Sequence, residues 1–126
     1  MTLKSFFKLN AFIGFFFGTV LLISPALLLQ LANISSGNGT YLTAHLLGIE
    51  LIGTNILLWR MGNSTDPIIV YTAVQARLVI ENLSFLIVLL AKVEGLGNHL
   101  LSAIAVIYLL SSLGYAYFYF TLKKIL

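Results

Sequence analysis

Glu50, Arg77 and Glu81 lie inside long apolar stretches of this 126-residue chain. Ionisable side chains are rare there, because each costs about 2.5 to 3.5 kcal/mol at the centre of a bilayer on insertion scales. Arg77 and Glu81 are four residues apart and share one helical face, which Ser84 extends. Thr43, Glu50 and Thr54 form a matching stripe on the preceding run. The hairpin joining these two runs turns near residue 64, so side-by-side packing of consecutive helices brings Glu50 and Arg77 to one depth. The expectation is a buried cluster in which Arg77 bridges both carboxylates. Such a cluster can hold a proton or a ligand, or it can act as a clamp that fixes helix register. One arginine between two carboxylates leaves a negative charge to be met by protonation, a cation or a hydrogen-bond donor.

His45 and His99 are the next candidates. Each sits near the start of an apolar run, at similar depth, where a pair of histidines can ligate haem or a metal, or can hydrogen-bond at the interface. The absence of cysteine excludes disulfides, thiolate metal sites and cysteine nucleophiles. No metal site, cofactor or catalytic residue is assigned. Tyr108, Ser112, Tyr115 and Tyr119 share a face of the last run, suited to helix packing or to a slot for a quinone or pigment.

The elements that must position these groups follow from composition. The chain is 60% hydrophobic and 9% charged with a mean hydropathy of +1.02, whereas soluble domains carry about 25% charged residues. These values exclude a water-soluble globular protein and a disordered one, and no polar face exists to carry a basic patch for nucleic acid. Apolar runs at residues 6–31, 41–59, 68–90 and 100–120 are separated by the polar turns 33–40, 60–67 and 94–99. In lipid a lone segment must satisfy its own backbone, so each run is a helix. The expected fold is all-α: one transmembrane domain over 1–126, a four-helix antiparallel up-down bundle. The first run is longer than a signal peptide's apolar region and lacks a small-residue cleavage site, so it is read as a retained span. Thr65 or Asp66 before Pro67 resembles an N-cap followed by proline at the first helical position.

Lys4, Lys8, Arg60, Lys123 and Lys124 fall on one side and Lys92 on the other. The positive-inside rule then places both termini in the cytoplasm, in what is expected to be a plasma (inner) membrane. Gly14 and Gly18 form a G-x-x-x-G in the first helix, with Gly48 and Gly53 as small residues on the second, and hairpin register sets Gly18 opposite Gly53. Phe6, Phe7, Phe12, Phe15, Phe16 and Phe17 go round the first helix and read as lipid or partner contacts. The face of the second helix bearing His45, Gly48, Asn55 and Trp59 is expected to pack partly on the first helix and partly on another chain.

With Gly14-x-x-x-Gly18 and Leu21 to Pro25 in the first helix, Ala44 to Gly48 and Leu57 to Trp59 in the second, and a fourth helix ending in aromatics, the chain resembles the small four-helix membrane proteins grouped as DoxX-like. The resemblance covers nearly the whole length and rests on degenerate apolar patterns. It implies a membrane subunit accompanying an oxidoreductase, and it assigns no catalytic residue. Two functions stay open. One is a non-catalytic subunit of a larger membrane complex, surrounded by lipid and by other subunits or further copies of itself. The other is a small transporter or proton-coupled protein using the Glu/Arg/Glu cluster.

Overall fold

The computed structural model of the protein describes residues 1–35 and 37–125. Its helices are α1 (Leu3–Ile23), α2 (Pro25–Leu31), α3 (Asn38–Gly62), α4 (Pro67–Val93) and α5 (His99–Lys123), and no strand occurs among the described residues. Four of them are long and apolar enough to cross a membrane. The protein is an integral membrane helix bundle.

The ends of the helices are fixed by local chemistry. Thr2 caps α1 by accepting from the Ser5 amide. Asp66 caps α4 by accepting from the Ile68 amide at 2.8 Å, with Pro67 in the first turn, and Asn98 caps α5 by accepting from the Leu100 amide at 2.9 Å. The turn before α3 includes Ser36, which lies outside the described residues.

The expected first span over 6–31 is corrected to two helices. Pro25 has no N–H to offer the Leu21 carbonyl, and its ring crowds the preceding turn. The chain breaks at Ser24 and resumes as α2. In an apolar setting the carbonyls freed by such a break need donors. His45 supplies one, its Nδ1–H donating to the Leu22 carbonyl at 2.8 Å. The far end of α2 is tied as well, by Asn98 Nδ2 donating to the Leu31 carbonyl at 2.7 Å.

The long helices associate as two pairs, α1 with α3 and α4 with α5, while α3 and α4 touch little beyond the turn that joins them. In the first pair, Gly48 lies so near α1 that an added Cβ would stand 2.8 Å from both the Gly18 carbonyl oxygen and the Leu22 nitrogen. Asn55 fills the notch left by Gly14, and Phe7 lies beneath Gly62. Small residues thus let two backbones approach where lipid offers no hydrophobic driving force. The expected Gly18–Gly53 contact is corrected: Gly18 meets Gly48, Leu51 and Ile52, while Gly53 has open space around it. Gly53 is five residues on from Gly48, about 140° around the helix, and so leaves the seam.

The pairs join through Phe6, Phe7, Leu58, Ala73, Val74 and Tyr115, all buried. Phe6 meets the Tyr115 ring edge-on at a centroid separation of 4.8 Å, and Phe7 lies 5.8 Å from it. The phenylalanines therefore divide. Phe6 and Phe7 belong to the core, correcting their reading as lipid contacts, whereas Phe12 and Phe16 point outward.

Candidate functional site

The buried residues of α4 (Ala73, Val74 and Glu81) repeat at helical spacing and place Arg77 and Glu81 on the inward face. The Arg77 Nη2 donates to Glu81 Oε1, closing a salt bridge four residues apart. The side chain of Glu81 is 3% exposed and that of Arg77 15%. A charge buried this deeply is tolerated because its counter-charge is adjacent, and the pair together is neutral. The planar cation also lies over the Tyr115 ring, 5.8 Å from its centroid. Tyr108, on α5, lines the same space as Arg77 and Glu81.

Glu50 does not join this site. It is exposed, and among the described residues its carboxylate has no ion pair or hydrogen bond. The inward stripe of α3 is Ala44, Gly48, Asn55 and Leu58, and Glu50 is about 200° around the helix from Gly48, on the opposite side. The expected triad fails because it assumed that consecutive helices pack along their length. Thr43 and Thr54 likewise turn to their own helix, donating to the carbonyls of Gly39 and Glu50 at 2.9 and 2.8 Å.

Asn55 and Asn10 take the places that Glu50 was expected to occupy. Both are buried. Asn10 donates through Nδ2 to the Phe6 carbonyl at 3.0 Å and accepts at Oδ1 from Ser111 Oγ at 2.8 Å, which ties α1 to α5. Asn55 donates to the Leu51 carbonyl at 2.6 Å, but its Oδ1 has no partner. Arg77 Nε and the Tyr115 hydroxyl are also buried without a hydrogen bond. An orphaned buried group of this kind costs about 1 to 3 kcal/mol. Asn10 could have been found from the sequence, as an amide at the fifth position of the mainly apolar run 6–31.

These groups surround a cavity of about 290 Å³ between the two helix pairs. Asn10, Asn55, Arg77, Glu81, Tyr108 and Ser111 give it a polar part, and Leu28 and Leu29 of α2 help close its apolar part. The inward side of α5 is therefore a wall of the site through Tyr108 and Ser111 as well as a packing surface through the buried Ser112 and Tyr115.

The remaining candidates lie elsewhere. His45 is engaged at the α1 break. His99 is exposed at the first position of α5. The part of the α3 face bearing His45, Gly48 and Asn55 packs on α1, as expected for part of that face, while Trp59 is 41% exposed with Lys8 Nζ 5.3 Å from its ring. Comparison with known protein families, with curated proteins and with solved structures finds no match.

Proposed function

We propose that the protein is a non-catalytic subunit of a larger membrane assembly, as its resemblance to the DoxX-like proteins implies. One observation carries this reading. Glu50 is the central residue of the 25-residue helix α3, and its side chain faces outward without a partner. In a bare bilayer that carboxyl group would meet hydrocarbon at mid-depth, at a cost near 3 kcal/mol on insertion scales. A neighbouring membrane helix bearing a donor or a cation at the same depth removes the cost. Gly53, also exposed and with space around it, sits one turn away and lets such a helix come close.

The bundle in this reading is antiparallel with both termini cytoplasmic, in a plasma (inner) membrane. The α1–α3 contacts support the first point, since Phe7, Gly14 and Gly18 meet Gly62, Asn55 and Gly48 in reverse order. Lys4, Lys8, Arg60, Lys123 and Lys124 gathered at one end support the second.

Purification in mild detergent followed by mass spectrometry tests the proposal. Another membrane polypeptide should co-purify with the wild-type chain and be lost from Glu50→Leu, with the helix content of the variant unchanged. Recovery of the wild type as a lone chain that moves protons or a solute in liposomes would overturn it. The function would then be transport, with Arg77 and Glu81 as its centre.

A further inference from the structure

We infer that the cavity between the helix pairs binds an uncharged single-chain amphiphile whose hydroxyl head is held between Asn55 and Arg77. The inference rests on the wall of the cavity and is independent of any partner at Glu50.

Two atoms set the chemistry of the head. Asn55 is 1% exposed, its Nδ2 is already engaged, and its Oδ1 is an acceptor with no donor. Arg77 spends Nη2 on Glu81, and its Nε–H is a donor with no acceptor. Both residues line the same cavity. A hydroxyl is the smallest group that donates to one and accepts from the other. A charged head is disfavoured because Glu81 already neutralises Arg77, so a further carboxylate or ammonium would stay uncompensated at this depth.

The rest of the cavity sets the chemistry of the body. Away from the polar part the lining is apolar, with Leu28, Leu29, Val88, Leu101 and Ile104. The volume of about 290 Å³ lies at the lower end of the roughly 300 to 1,000 Å³ of small-molecule sites. That space suits one alkyl chain and excludes a two-chain lipid. It lies between the two helix pairs, with residues of all five helices on its wall.

The test uses the full chain in phosphatidylcholine nanodiscs with hexadecanol carrying a diazirine beside the hydroxyl, and a headless diazirine hydrocarbon of equal length. On illumination the alcohol should label α4 and α5 peptides containing Glu81 or Tyr108, and unlabelled hexadecanol should suppress that labelling at least tenfold. The headless probe should label the outer faces of the helices without competition. Val88→Trp, which fills the apolar part and leaves both polar atoms in place, should reduce the competed labelling by a similar factor. The inference is overturned if the wild type shows no competed labelling. It is equally overturned if the headless hydrocarbon competes as well as the alcohol, since water would then suffice for the two polar atoms.

Discussion

Ser111 donates a hydrogen bond to Asn10 across 101 positions of sequence, and with it α5 is fastened to α1 at a buried point. The bond links the two helix pairs, so it reports on how they dock. Interhelical hydrogen bonds in membranes contribute on average about 0.6 kcal/mol and at most about 1.7. Ser111→Ala should lower unfolding stability in detergent within that range. In a double-mutant cycle with Asn10→Leu the two losses should be non-additive. Full additivity would mean that the pair is not coupled.

Arg77→Leu strands the Glu81 carboxylate in the interior and should cost about 3 to 5 kcal/mol, the usual penalty for breaking a buried pair. Arg77→Leu combined with Glu81→Leu should recover much of that loss. Glu50→Gln should add to either within about 0.5 kcal/mol, as independent sites do. Unfolding by denaturant in mixed micelles measures all of these variants. Strong coupling of Glu50 to Arg77 would contradict the outward placement of Glu50.

Gly48→Ala puts a methyl group 2.8 Å from backbone atoms of α1, and overpacking of that kind costs about 1 to 3 kcal/mol. Gly53→Ala meets nothing within 4 Å and should be neutral or stabilising by up to about 1 kcal/mol in the isolated chain, through helix propensity. The contrast between the two thermal midpoints is the readout. Equal losses would place both glycines in a seam.

His45→Leu removes the donor to the Leu22 carbonyl and leaves an unpaired group where α1 breaks, at a cost of about 1 to 3 kcal/mol. Amide hydrogen exchange should rise in α2 and spare α4. Protection of α2 unchanged from wild type would show that the carbonyl finds another donor.

What could be read from the sequence was local. Asp66 and Pro67 announce the start of α4 by capping chemistry confined to one turn, and Arg77 with Glu81 meet because four residues on one helix suffice to bring them together. Glu50 was misplaced because its position depends on which helix α3 chooses, and α3 packs on α1 through Gly48 and Asn55. Hydropathy is nearly uniform around such helices, so apolar pattern alone does not mark the inward side. Pro25 was visible too, but within a long apolar run its consequence for the span depends on whether His45 can serve the broken turn.

The division into two helix pairs also bears on the order in which the chain is made. By the time Gly62 has left the ribosome, every residue of the α1–α3 seam exists: Gly18 against Gly48, Asn55 in the notch of Gly14, and Phe7 under Gly62. The first half can thus settle in the bilayer while the second is still being translated, as domains do when they fold in order of synthesis. Asn10 then waits with its Oδ1 unsatisfied until Ser111, made 101 residues later, arrives to claim it.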